Sequence, residues 1–155
     1  MKPEKVKLFI VDDDPMFLLK LAHEFHLYSD FTIETFPTAE LCIEKLHHKP
    51  DVIILDYHLD SVEKNAMNGL EASEKIKKAN PAIQVVLLSA SEETIKEAVE
   101  IMKGDIFDTA VKSKTAFVSL QQIITSIFNH KKTKKEVALI YGDGPIPFQV
   151  SLIRV

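Results

Sequence analysis

The chain is poor in the features that would mark several large classes of protein. Cys42 is its only cysteine, so no disulfide can close within it; a reducing compartment such as the cytoplasm suits a chain of this kind. Basic residues are not in excess: 19 Lys and Arg stand against 23 Asp and Glu, for a formal net charge of −4. A nucleic-acid partner is therefore not expected, because that role calls for a basic patch. No apolar run approaches the roughly 20 residues of a membrane span. The opening stretch, MKPEKVKLFIVDDDP, reaches three aspartates before an apolar segment of useful length can build up, so no secretory signal is expected either. A glycine-rich nucleotide-binding P-loop is also missing.

What is present is globular. Hydrophobic residues make up 46% and charged residues 27% of the 155 positions, which argues against disorder. A chain of this length suits one domain and buries roughly two-thirds of its unfolded surface.

Apolar runs alternate with stretches of helical period. Residues 6–11 (VKLFIV), 31–35, 51–55 (DVIIL), 84–88 (QVVLL) and 107–111 read as strands. Helices are predicted between and after them: 15–28, with Phe17, Leu18, Leu21 and Phe25 at helical spacing; 38–47; 69–79, stopped before Pro81; 91–102, ended by Gly104; and 115–128. Asp14, Thr38 and Ser91 supply N-cap signals, and Pro15 suits a first helical turn. Strand–helix alternation of this kind gives an α/β fold, a parallel sheet with helices on both faces. Near-continuous apolar strands are what burial on both faces requires. In such a sheet a ligand site lies beyond the carboxyl ends of the strands.

The residues expected at those ends carry chemistry. Asp12 and Asp13 follow the first strand, Asp56 the third and Ser89 the fourth, while Lys112 closes the fifth. Three carboxylates brought into one cleft repel one another and do not all stay ionised without help. A hard divalent cation relieves the repulsion, and Mg²⁺ prefers oxygen ligands. An Asp carboxylate can act as a nucleophile toward phosphorus, and a hydroxyl and an ammonium can hold phosphoryl oxygens. Taken alone, Lys112 is equally well a solvated lysine, and a single aspartate after a strand is usually a turn residue; the company of the others makes the case. Asp14 reads as a helix cap rather than a ligand.

VDDDP at 11–15, DVIILD at 51–56, VVLLSA at 85–90 and AVK at 110–112 resemble the signatures of response regulator receiver domains, over about residues 6–129. The resemblance implies a flavodoxin-like fold with strand order 2-1-3-4-5. It implies a two-component signalling role in the cytoplasm, as a non-enzymatic phosphoacceptor that works through protein–protein contacts. Asp56 matches the phosphoacceptor; Asp13 and Asp12 match residues that hold Mg²⁺; Asp56 and the backbone carbonyl of His58 would complete the protein's share. Ser89 and Lys112 match the groups that contact the phosphoryl group. Thr109 stands at the switch position, and His58 and Ser91 where the lifetime of the acyl phosphate is tuned. The partners implied are a sensor histidine kinase or a histidine phosphotransfer protein as donor, and a downstream protein target.

The chain departs from the family in three places. Met67-Asn68-Gly69 comes late after Asp56, as though about five residues were inserted near 61–66, and Asp60 replaces a usual proline. Ser113 follows Lys112 where the family commonly has a proline behind a cis bond; a cis bond before serine would cost about 3–4 kcal/mol. Thr109 replaces an aromatic ring. These departures leave room for a degenerate receiver that binds a partner without phosphorylation. Two enzyme or cofactor classes fit worse: a haloacid-dehalogenase phosphatase wants Thr where Pro15 stands, and a flavin-binding relative wants Ser, Thr and Gly where the aspartates are.

The histidines do not form a metal site by spacing. His23 and His26 read as a solvated helix face, and His47 and His48 are adjacent. The expected receiver spans 1–130. Residues 131–155 are expected to be a linker, beginning in HKKTKK at 130–135, and a strand-like extension, 136–141 and 148–155, joined by GDGPIP in a hairpin. Such an edge can pair across a homodimer.

Overall fold

The structure is a computed structural model and describes residues 5–28, 30–60, 65–102 and 106–141. Strand β1 (Val6–Val11) leads into helix α1 (Pro15–His26), β2 (Phe31–Phe36), α2 (Ala39–Glu44) with a short 3-10 turn at Leu46–His48, β3 (Val52–Asp56), α3 (Gly69–Ala79), β4 (Gln84–Ser89), α4 (Glu92–Ile101), β5 (Asp108–Val111) and α5 (Ala116–Tyr141). The strands form one parallel sheet in the order β2-β1-β3-β4-β5. The expected architecture and strand order are both found. Strand order reverses between β1 and β3, so the crevice of the sheet opens there, beside the ends of those two strands.

Alternation along the strands sorts the core onto two faces. Phe9, Val11, Ile53, Leu55 and Val85 pack with Ala39, Cys42, Ala72 and Ile76 of α2 and α3 on one side, joined by Phe36 and Ile83. Leu8, Ile10, Ile54 and Val86, at the alternate positions, are fully buried too. On that side Phe25 of α1 meets Phe31 and Phe117 in edge-on ring contacts, a geometry aromatic pairs favour.

The capping signals hold where the structure tests them. Asp14 accepts from the Met16 and Phe17 N–H groups, Thr38 from Leu41 and Ser91 from Thr94; Asn68, not among the expected caps, accepts from Glu71 at the start of α3. Gly104, the expected stop of α4, lies outside the described residues. Helix α2 is shorter than the expected 38–47, because its last turn tightens to 3-10 and Lys49 ends it in the left-handed region at φ 58°.

The carboxyl-terminal expectation needs correction. The chain divides into Met1–Leu120 and Gln121–Val155, and the described part of the second unit is helix throughout. Residues 131–135, expected as a linker, and 136–141, expected as a strand, continue α5 to Tyr141. The physical reason is local. No Gly or Pro interrupts the chain between Ala116 and Gly142, and Lys, Glu, Ala and Leu all favour helix. The hairpin thus loses its first arm; 142–155, including the second arm, lie outside the described residues.

Candidate functional site

Four strand ends converge on the crevice. Asp12 lies just beyond β1, where its N–H donates to the Phe36 carbonyl at 3.1 Å. Asp56 is the last residue of β3, and the strand is prolonged by the Tyr57 N–H donating to the Leu88 carbonyl at 2.9 Å. Ser89 ends β4 fully buried. Lys112 follows β5 and is tied to β4 by its N–H, which donates to the Ser89 carbonyl at 2.7 Å.

Carboxylate oxygens of Asp12, Asp13 and Asp56 come within 4.8 Å of one another. Lys112 Nζ closes the group, 2.7 Å from Asp12 Oδ2 and 3.1 Å from Asp56 Oδ2. Asp12 is 1% and Asp56 2% exposed. Asp12 Oδ1 accepts the Asp14 N–H at 2.9 Å, and Asp56 Oδ1 accepts the His58 N–H at 3.3 Å. Asp12 Oδ2 is buried without a hydrogen bond of good angle, the ammonium lying beside it as an ion-pair partner.

One ammonium does not balance this much buried negative charge. Burial raises the Asp56 carboxyl from 3.8 to about 7, the nearby Asp12 charge adds to the rise, and Lys112 and the His58 N–H oppose it less strongly. The Asp12 carboxyl is raised as well, chiefly by burial. Burial alone would lower Lys112, but the two carboxylates outweigh it and hold the ammonium above its ordinary value. The donor set therefore fits a hard divalent cation: it is all oxygen, it carries charge that a cation would relieve, and it holds a buried Asp12 oxygen short of hydrogen bonds.

The other expected residues fall around this group. Ser89 Oγ accepts the Ser91 N–H at 3.3 Å, and Ser91 Oγ in turn caps α4 through the Thr94 N–H at 3.4 Å. His58 touches the site through its backbone, while its ring stands edge-on to Tyr57. Thr109 is not in the carboxylate group. It lines a surface hollow of about 530 Å³ with Ile95 and Lys96 of α4 and Ser113 and Thr115 beyond β5. The inserted loop is described at Asp60 and at 65–68, where the Met67 N–H donates to Glu40 Oε1 of α2 at 2.6 Å; 61–64 lie outside the described residues. The Lys112–Ser113 bond is trans. His23 and His26 are exposed; His48 pairs instead with Glu34, Nδ1 to Oε1 at 2.8 Å.

Two contributors stand out only in three dimensions. Gly69 opens α3 with its N–H donating to the Tyr57 carbonyl at 2.9 Å, so close to β3 that a Cβ would meet the Asp56 carbonyl oxygen at 2.6 Å. Phe17 presents its ring face to Lys112 Nζ, 4.9 Å from the centroid. In the sequence Phe17 is one more apolar residue of α1, and nothing there separates it from the core.

An open parallel sheet with an acidic crevice at its switch point defines a doubly wound α/β domain whose site lies beyond the carboxyl ends of its strands. Within that class, the response regulator receiver domain family matches residues 8–128, and the chain belongs to that family. Its role is accordingly that of a receiver in two-component signalling. A curated relative, response regulator protein VraR of Staphylococcus saprophyticus, is 26% identical over 137 residues, 87% of this chain and 62% of its own length. The chain thus spans about six-tenths of that relative. A receiver domain from Clostridium thermocellum superposes with TM-score 0.69 at 21% identity, covering 82% of this chain and 97% of its own. A CheY-like receiver from Methanospirillum hungatei does so with TM-score 0.70 at 18% identity, covering 83% and 98%. At these identities the two structures speak for the fold. Among the described residues, no helix is long and apolar enough to cross a membrane.

Proposed function

We propose that this chain accepts a phosphoryl group on Asp56 from the phosphohistidine of a sensor kinase or phosphotransfer protein, in a Mg²⁺-dependent reaction, and signals through protein contacts. The observation that carries the proposal is the convergence of the Asp12, Asp13 and Asp56 oxygens within 4.8 Å, with Lys112 Nζ 2.7–3.1 Å from two of them.

Asp12, Asp13, Asp56 and the His58 carbonyl would hold the ion. When bound, it neutralises the carboxylates and the charge that develops on the phosphoryl oxygens. An Asp56 carboxylate oxygen attacks phosphorus; the new P–O bond forms as the donor's P–N bond breaks, and the histidine leaves with the electron pair. The His58 N–H orients Asp56 by holding Oδ1, which leaves Oδ2, now paired with Lys112, as the attacking atom. Lys112 then passes from Asp56 to a phosphoryl oxygen without leaving Asp12. The Ser89 hydroxyl, an acceptor from Ser91, keeps its proton free to donate to a second phosphoryl oxygen.

We take 1–130 as the receiver and 131–155 as an extension; the family match ending at 128 supports this division. Phosphohistidine is made at the expense of ATP, which favours the cytoplasm as the place of exchange.

The test is to incubate the protein with acetyl phosphate, with and without Mg²⁺, and weigh it intact. One labile phosphoryl group is expected, dependent on Mg²⁺ and absent from Asp56→Asn. A chain that gains none under these conditions is not a phosphoacceptor.

A further inference from the structure

Lys112 must stand in one place to serve both Asp12 and Asp56, yet the turn that follows it is ordinary. Ser113 comes after a trans peptide bond, and the Lys112 N–H donates to the Ser89 carbonyl at 2.7 Å. The long stem then has to carry Nζ across to β1 and β3. A flexible four-carbon side chain does not hold such a position unaided.

Phe17 supplies the missing constraint. Its ring lies half-buried in the first turn of α1, with its face toward Lys112 Nζ at 4.9 Å from the centroid. That is well inside the roughly 6 Å reach of a cation–π contact. The ring is itself fixed. Asp14 Oδ1 accepts both the Met16 and the Phe17 N–H, at 3.0 and 3.4 Å, and Pro15 sets the start of the helix. The same ring borders Ser113, Ala116 and Phe117 in a small crevice beside the Lys112 turn. Around the ammonium are thus two carboxylates on one side and an aromatic face on another, and the Lys112 side chain as a whole is only 17% exposed.

We propose that Phe17 is a positioning residue for Lys112. Its ring holds the ammonium between Asp12 and Asp56 and shields it from water, so that it is already in place when the phosphoryl group arrives. This rests on the proposed phosphoryl transfer for its consequence, though not for its physical basis. Asp14, the third aspartate of the run, acts through this arrangement: it caps the turn that aims the ring.

The experiment has two arms. The first is a double-mutant cycle in denaturant with Phe17→Leu and Lys112→Met, singly and together, in the cation-free full chain. The cost of removing the ring is expected to be about five-fold greater in the folding equilibrium when Lys112 is present than when Met replaces it. Phe17→Met, which has no π face, repeats the cycle should the Leu variant fail to fold. The second arm measures phosphoryl uptake from acetyl phosphate at saturating Mg²⁺. Phe17→Leu is expected to lower the limiting rate about five-fold with little change in the half-saturating donor concentration, and Phe17→Tyr or Phe17→Trp to restore it. Additive effects in the cycle, or equal rates for Leu and Trp at position 17, would overturn the proposal. A wild-type chain that takes up no phosphoryl group defeats the functional reading instead, and leaves the cycle to decide about Phe17.

Discussion

Asp56→Asn is expected to make the cation-free protein more stable, and to do so only where Asp56 would be ionised. Burial and the Asp12 charge raise the Asp56 carboxyl from 3.8 to about 7. Its folded-state value lies above its unfolded one, so the folded protein binds this proton more tightly. The stability it contributes is therefore complete below about pH 4 and is lost as pH rises through 7. Three pKa units at about 1.4 kcal/mol each set a ceiling of about 4 kcal/mol on that loss. Asn keeps one oxygen, for either the His58 N–H or Lys112, and turns its NH2 toward the other donor; with one bond lost and the other no longer charge-assisted, about half the ceiling, roughly 2 kcal/mol, is the expected gain at pH 8. For a chain of this length that is about 4–8 °C in melting temperature. Thermal and urea unfolding of both proteins in EDTA, from pH 4 to pH 8, would measure it. The advantage of Asn should shrink toward zero at pH 4. Adding Mg²⁺ at about one hundred times its dissociation constant should then stabilise the wild type by about 2.7 kcal/mol and Asp56→Asn by much less. An Asn variant no more stable than wild type at pH 8, or equally favoured at pH 4 and pH 8, would refute the claim that buried carboxylate repulsion shapes this site.

Two further outcomes follow from the packing around the site. Gly69→Ala should destabilise the protein by roughly 1–3 kcal/mol and slow phosphoryl uptake, because its Cβ would sit 2.6 Å from the Asp56 carbonyl oxygen and 2.7 Å from Tyr57 Cα, backbone atoms that cannot swing aside; urea unfolding and intact-mass kinetics report the two effects. Cys42 is fully buried and its thiol is pushed up to about 12, chiefly by burial, so a thiol reagent at pH 8 should label it only as fast as the protein opens; immediate stoichiometric labelling of the folded chain would contradict the burial.

The strands and their parallel pairing are legible because the central strands are buried on both faces, whereas the order 2-1-3-4-5 rests on the family resemblance. QVVLL and DVIIL are near-continuous apolar runs, and a parallel sheet leaves such runs little alternative. Helix starts were equally plain: Asp14, Thr38 and Ser91 each cap through a side chain in the way their residue types predict. The end of α5 differs from the expected strand for a local reason. Val137, Leu139 and Ile140 suit a strand by composition, but the helix reaches them without a break, and a helix already running adds a residue more cheaply than a new element begins. The first clear stop signal is Gly142, and α5 runs to the residue before it.

The site divides along the same line. Asp12, Asp13, Asp56, Ser89 and Lys112 could be read in one dimension because each sits at a strand end, and the topology of a parallel sheet brings strand ends together wherever they fall in the chain. Contacts that cross between elements at other heights carry no such rule. Phe17 lies 95 positions before Lys112 and Gly69 lies 13 after Asp56, and their closeness depends on how α1 and α3 dock. The trans bond before Ser113 belongs with them. With no proline to shape the turn after the lysine, the ammonium is placed by what surrounds it: two carboxylates, the Ser89 carbonyl behind its backbone and a ring face. Three of those four come from residues whose roles the sequence suggests. The fourth, the ring, is the one that Asp14 aims, and so the run of three aspartates has two tasks: Asp12 and Asp13 gather charge, and Asp14 sets the helix that helps hold the answering cation in place.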